Sequence, residues 1–409
     1  MKPADIYAIP PAEQTQSSLD LFLIFVGANV VATTFHVGSS LAASFSTKTT
    51  TLLVVIGSVV GAALVAALAP LGSRLRVPSI IATRPALGMR GAAVVAALLY
   101  GSNFAWIALN NVIAASACAH TFGGSEAGWS VVLGLIATIV VWSGPGAVAQ
   151  ADRVAVPLLV GLGVTLTVAS LRAPEAAAAL PATPLGWSRG LDIVLGYQVS
   201  WILMFGDYSR YTRSARGSGI AMFVALATTS IWLMPLGAIA ARAAGSDEPG
   251  AMFAAVGLGG AAAVLLTLAT LTTNFVNIYM SALAWKSLVP KTGDATVVWS
   301  IGIVGAALSA VPAVWLQQYA NFMMVLGAAL VPVGGVLIAH YYLKPPRTDE
   351  SFITALYDAS GPFRGVSVPG VAAWGAGAAA YYAAGAVGGT LPAFAVSILV
   401  YLGLRRTAS

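Results

Sequence analysis

Charge is what this chain has least of. Of its 409 residues only 8% are Asp, Glu, Lys or Arg, against roughly a quarter in soluble domains. So little charge cannot cover a water-soluble protein of this length, and soluble enzymes and binding modules are excluded. Cysteine is nearly absent: the single Cys118 rules out an intramolecular disulfide and leaves no metal-cluster pattern. Carboxylates are missing from the middles of the apolar segments, since Asp20, Asp192 and Asp207 all lie near segment ends. Only His36 is placed to titrate within a span, and a lone histidine there is more often packed or water-facing. Proton-driven carriers commonly use a buried titrating group, so its scarcity favours sodium over protons as a coupling ion. No Ser/His/Asp, paired-carboxylate or His–Glu metal arrangement lies at matching depth, and the chain is not expected to be an enzyme.

What is abundant is apolar sequence. Hydrophobic residues make up 58% of the chain, in blocks of about twenty, the length that crosses a bilayer of roughly 30 Å. The reading is an all-α polytopic membrane protein with about twelve transmembrane helices. They are expected over Asp20–Ala42, Thr51–Leu71, Ala92–His120, Ala127–Trp142, Val154–Ser170, Leu191–Gly206, Ile220–Ala243, Leu258–Trp285, Val297–Val314, Tyr319–Tyr342, Val371–Val387 and Leu391–Leu404. The polar opening from Met1 to Asp20 is not expected to be a cleavable signal peptide. The net charge of +6 does not point to nucleic acid, because the basic residues lie between apolar blocks, where they set topology. With these spans, Lys2, Lys344, Arg347 and nearly all other basic residues fall on one side, and only Lys48, Arg172, Arg189 and Arg242 on the other. The bias places both termini in the cytoplasm and supports an even number of spans in the cytoplasmic (inner) membrane.

Two spans carry glycine and polar residues near their middles: Gly27-Ala28-Asn29-Val30-Val31-Ala32-Thr33-Thr34 in the first, and Gly196-Tyr197-Gln198-Val199-Ser200 in the sixth. Interrupted helices at matching places in two halves are the sign of an inverted-repeat transporter; the plainer reading is glycines that merely allow close helix packing. In the third span Asn103, Trp106 and Asn110 share one face. A tryptophan flanked by amides can stack a flat heteroaromatic ring and bond its edges. The eighth span reads Thr270-Leu271-Thr272-Thr273-Asn274-Phe275-Val276-Asn277. Adjacent threonines can supply hydroxyls to a hard cation, although bonding back to their own helix is the commoner use. Asp207 and Arg210, at the end of the sixth span, could latch cytoplasmic loops as gating residues, or form a surface ion pair of little worth.

In this order and spacing, Gly101-Ser102-Asn103-Phe104-Ala105-Trp106, Val154-Ala155-Val156-Pro157, Ser200-Trp201 followed by Gly206-Asp207-Tyr208-Ser209-Arg210-Tyr211, and Thr272-Thr273-Asn274 with Asn277 and Tyr279 resemble the nucleobase–cation symporter-1 family. That family includes cytosine permeases, a hydantoin transporter and hydroxymethylpyrimidine (thiamine-precursor) transporters. The resemblance implies a five-plus-five inverted-repeat (LeuT-like) core with two peripheral helices. Residues 1–19 would be a cytoplasmic segment, 20–172 the first repeat, 173–343 the second, and 344–409 a linker, two helices and tail. It also implies sodium held by the carbonyls of Gly27, Val30 and Ala269 and the hydroxyls of Thr272 and Thr273. Substrate would stack on Trp106, with Asn103, Asn110, Asn277, Val31, Tyr197 and Gln198 around it. One departure stands out: where relatives place a stacking aromatic on the sixth helix, this chain has Gln198, with Tyr197 beside it. The expected function is a sodium-coupled symporter importing a nucleobase or related small heterocycle, with membrane lipid but no nucleic acid or obligate protein partner. A proton-coupled permease and a channel for a small polar solute are the rivals; the pore-forming repeats a channel needs are missing.

Overall fold

In hydrocarbon each backbone N–H and C=O must be satisfied within its own segment, and the apolar runs accordingly fold as helices. The computed structural model describes residues 6–143, 145–172, 184–257, 259–342 and 348–407. Its helices are α1 (Ser18–Asn29), α2 (Ala32–Ala42), α3 (Thr47–Ala66), α4 (Ala69–Leu75), α5 (Ser79–Ala82), α6 (Arg84–Phe122), α7 (Glu126–Trp142), α8 (Pro145–Arg172), α9 (Trp187–Val199), α10 (Phe205–Ser209), α11 (Ala215–Ala244), α12 (Pro249–Ala255), α13 (Gly259–Leu288), α14 (Asp294–Leu308), α15 (Pro312–Tyr342), α16 (Glu350–Ala355), α17 (Val368–Ala383) and α18 (Thr390–Thr407).

The expected spans are not all single long helices. Among the described residues five are long and apolar enough to cross a bilayer unaided, and α1 with α2 makes one further crossing bent by 51°. Helices α7 and α14 are shorter apolar rods. The first expected span breaks at Val30 and Val31, whose dihedrals (φ −80°, ψ 73° and φ −139°, ψ 159°) leave helical space. The sixth ends at Val199 and passes through a tight turn, Ile202–Met204, before α10. Lys2, Lys344 and Arg347 of the charge bias, and the expected repeat boundaries at 172/173 and 343/344, lie outside the described residues or at their edge.

Helix α13 packs along α6, while α11 lies on α1, α2 and α3; α15 carries the α17–α18 hairpin. Where α2 crosses α11, small residues let the backbones touch: a Cβ at Gly38 would fall 1.6 Å from the Met234 carbonyl oxygen, and one at Gly237 would fall 2.0 Å from that of Phe35. Such small-residue contacts take the place of hydrophobic driving force inside lipid. Near the start of α6 the chain kinks at Gly88 (φ 78°). The segment before α17 fills that kink, its Phe363 and Gly365 carbonyls accepting from Met89 and Arg90 N–H at 2.7 and 3.1 Å.

Candidate functional site

The two helix breaks face one another across a small, partly enclosed cavity. Val31 and Thr33 line it from the first break, and Tyr197, Ser200, Trp201 and Met204 from the second. Trp106 and Asn110 come from α6, and Thr273 and Asn277 from α13. Each of these last pairs is four residues apart, so each helix presents one face to the cavity. No charged side chain is among the described lining residues.

Trp106 is held edge-to-face by Phe322 of α15, ring centroids 5.3 Å apart at 80°. The Tyr197 ring lines the cavity while its hydroxyl is committed to the first break, 2.5 Å from Thr34 Oγ1 and donating to Asn29 Oδ1 at 3.2 Å. Asn29 in turn donates to Thr229 Oγ1 at 2.6 Å and to Ser230 Oγ at 2.9 Å on α11. The irregular backbone at the break is therefore tied to both α9 and α11. On the other wall Asn277 Nδ2 donates to Asn274 Oδ1 (3.3 Å), Asn274 Nδ2 to Asn111 Oδ1 (2.8 Å), and Asn111 Nδ2 to Ser309 Oγ (3.4 Å). This amide relay runs from the cavity to the end of α14 and fixes α13 against α6.

Of the expected substrate residues, Val31, Trp106, Asn110, Tyr197 and Asn277 come together around the cavity, and Asn103 and Gln198 are not among its lining. Asn103 lies fully buried two turns before Asn110 along α6, and neither of its amide atoms has a hydrogen-bond partner. Gln198 faces away, because a helix turns each residue by about 100° and Tyr197 and Trp201 occupy the inward face. Its side chain stacks over Gly61 of α3, where a Cβ would come within 2.5 Å, and its Nε2 donates to the Leu226 carbonyl at 3.3 Å.

The expected cation ligands belong to α1 with its C-terminal cap and to α13, two helices that are in contact. Val30 leaves helical geometry there, and such breaks free backbone carbonyls for cations. Thr272 Oγ1 donates to the Ala269 carbonyl at 2.9 Å, the bond back to its own helix that is the commoner use of such a threonine. Thr273 Oγ1 is buried without a partner, a hydroxyl suited to a hard cation. Gly27 packs against Val156 of α8, where a Cβ would fall 2.8 Å from the valine methyl.

Asp207 and Arg210 are not a surface pair. Asp207 is 1% exposed and Arg210 is fully buried. The Asp207 carboxylate accepts from Ser79 Oγ at 2.8 Å and Ser79 N at 3.2 Å, locking α10 to α5. The Arg210 guanidinium donates to Tyr279 OH of α13 at 3.2 Å, Tyr211 OH at 3.0 Å and the Tyr7 carbonyl at 3.4 Å. The pair thus joins the sixth-span region to α5, to α13 and to the N-terminal segment.

Thr33, Ser200, Trp201 and Met204 are lining residues the sequence reading does not single out as site residues. The signal for Ser200 and Trp201 lies in their place within the sixth-span motif, immediately after the glycine-containing interruption.

The family described as permeases for cytosine/purines, uracil, thiamine and allantoin matches residues 8–403. The cytosine permease of Escherichia coli strain K12 is 26% identical over 351 residues, covering 85% of this chain and 83% of that one. Mhp1, a nucleobase-cation-symport-1 family transporter solved in a closed conformation with bromovinylhydantoin bound, superposes with a TM-score of 0.79 at 18% identity, covering 100% of this chain and 95% of that one. A Na+-coupled sialic acid symporter in a substrate-bound outward-open state gives a TM-score of 0.67 at 13% identity, with 98% and 91% covered.

Proposed function

The chain belongs to the nucleobase–cation symporter-1 family of membrane permeases, and on that premise we propose that it is a sodium-coupled secondary symporter importing a nucleobase or related small heterocycle by alternating access. It is a transporter of the helical membrane type, and its relatives are permeases and symporters rather than enzymes. The observation that carries the reading is the cavity at the two helix breaks, walled by Trp106 and edged by Asn110 and Asn277. A flat, neutral ring fits such a site: the indole face supplies stacking area, each amide offers a donor and an acceptor, and no lining group supplies a countercharge.

Sodium in this reading is co-transported cargo. The carbonyls of Gly27, Val30 and Ala269 and the hydroxyls of Thr272 and Thr273 form its shell, bridging α1 and α13. Thr273 also lines the cavity, so the ion and the heterocycle act on the same two helices. Sodium stabilises their outward-open arrangement and raises substrate affinity, and substrate raises sodium affinity by the same factor. Asp207 and Arg210 close the opposite end, and the Asp207–Ser79 contacts release when it opens inward. Residues 20–172 and 173–343 form the two inverted repeats, and 344–409 holds the linker, the peripheral helices and the tail. Both termini lie in the cytoplasm and the protein resides in the inner membrane, which accords with the basic residues gathered on one side.

The test is uptake into proteoliposomes of radiolabelled cytosine, purines, hydantoins and hydroxymethylpyrimidine. An inward sodium gradient should drive accumulation of at least one of them, and a pH gradient in sodium-free buffer should not. Accumulation that follows the pH gradient alone overturns the sodium assignment.

A further inference from the structure

Trp201 stands at the centre of the second break, where Ser200 closes α9 and the chain enters the turn before α10. Its N–H and carbonyl are held in that turn, Trp201 N donating to the Gln198 carbonyl at 3.3 Å and Met204 N to the Trp201 carbonyl at 2.9 Å. Phe25 fixes the indole edge-to-face, centroids 6.1 Å apart at 71°. The side chain is 7% exposed, it lines the cavity, and its Nε1–H has no hydrogen-bond partner. An indole N–H is a donor only, and buried tryptophans usually find it an acceptor. A donor this well fixed, buried and unpaired at the wall of a site reads the ligand rather than the fold.

The other lining groups say what it reads. Asn110 Oδ1 is likewise buried and unpaired, and Asn277 stands across from it on α13. An asparagine amide matches an amino group beside a ring nitrogen, the pairing by which asparagine reads adenine. With that edge taken by the asparagines, the single donor of Trp201 is left for a different substituent, which must be an acceptor. With no charged side chain among the described lining residues, the site suits a neutral ligand.

We infer that Trp201 is a specificity-determining residue whose indole N–H donates to an exocyclic oxygen of the substrate. The inference rests on the heterocycle site proposed above. It also supplies the second aromatic wall: the position held by Gln198 turns away, and the indole three residues later takes its place at the cavity.

The experiment is a binding cycle on the purified full chain in sodium buffer, using two ligand pairs that differ by one oxygen. They are cytosine against 4-aminopyrimidine, and 4-amino-5-hydroxymethyl-2-methylpyrimidine against 4-amino-2,5-dimethylpyrimidine. In the wild type one oxygen-bearing member should bind roughly 5- to 30-fold more tightly than its oxygen-free partner. In Trp201→Phe that ratio should fall to within about twofold, as expected where the hydrogen bond that discriminates the pair is lost. If the smaller ring impairs folding, benzothienylalanine at position 201 removes the N–H with the bicyclic shape kept. A ratio that persists in either variant, or an equal loss for both members of a pair, overturns the inference and leaves the heterocycle site standing. A wild type that binds none of the four overturns the site reading and the inference with it.

Discussion

Trp106 and Thr273 separate the two cargoes at single side chains. Trp106 offers a stacking face and no hydrogen bond to its neighbours in the cavity, so Trp106→Ala should remove the wall without disturbing the amide relay on α13. Heterocycle affinity should fall by at least about 2 kcal/mol, roughly thirty-fold, as for a central aromatic anchor. Calorimetric titration reads this directly, and unchanged affinity would remove the proposed site. Thr273 Oγ1 has no partner within the protein, so its loss leaves no other group unpaired. Thr273→Ala should weaken sodium dependence about 5- to 30-fold, and Thr273→Ser should restore it, measured as the sodium concentration giving half-maximal uptake. An unaltered sodium response in Thr273→Ala would place the ion elsewhere. At this scale the sequence was informative about residue type and poor about direction. Asn103, Trp106 and Asn110 read as one face, yet Asn103 lies behind the cavity wall. Tyr197 and Gln198 read as alternatives, and only the register of α9 shows that one faces in and the other packs on Gly61.

Among the elements, the broken helices were legible because a cluster of glycine and polar residues is costly in hydrocarbon unless it lines a cavity or packs against protein. Gly27 to Thr34 and Gly196 to Ser200 do bracket the two breaks. What was not legible is the course of the chain after a break: the turn at Ile202–Met204 resets the rotation, so helical periodicity cannot say that Met204 faces the cavity. Nor can it show that Asp207, at a span end, folds inward to Ser79 rather than meeting water. The glycines make a sharper test of packing. A methyl at Gly38 would meet the α11 backbone itself, which has no side chain to swing aside. Gly38→Ala should therefore cost about 1–3 kcal/mol and lower the melting temperature, with uptake falling in step. Gly101 lies in α6 with nothing within 4 Å of a Cβ. Gly101→Ala should be neutral or stabilise by up to about 1 kcal/mol through the lower entropy of the unfolded chain. Equal melting shifts for the two variants would contradict the α2–α11 crossing.

For the whole molecule, composition and hydropathy were enough to read a helical membrane protein, since 8% charge leaves few other ways to fold 409 residues; the transporter reading needed the interrupted helices as well. The orientation is a separate claim with its own check. A cysteine at Ser409, in a background with Cys118→Ala, should react with an impermeant thiol reagent in inside-out vesicles and not in intact cells; labelling in intact cells would reverse the topology. The central claim is the coupling proposed above: Thr273 of α13 lines the cavity and belongs to the proposed ion shell, so sodium and heterocycle would be each other's effector. The measurement that tests it most directly is the heterocycle Kd of the purified protein by calorimetric titration, in sodium and in potassium at equal ionic strength. The account predicts a Kd at least about fivefold lower in sodium, and an equal tightening of sodium when heterocycle is present, as linkage requires. A heterocycle that binds with the same Kd in both salts would contradict it.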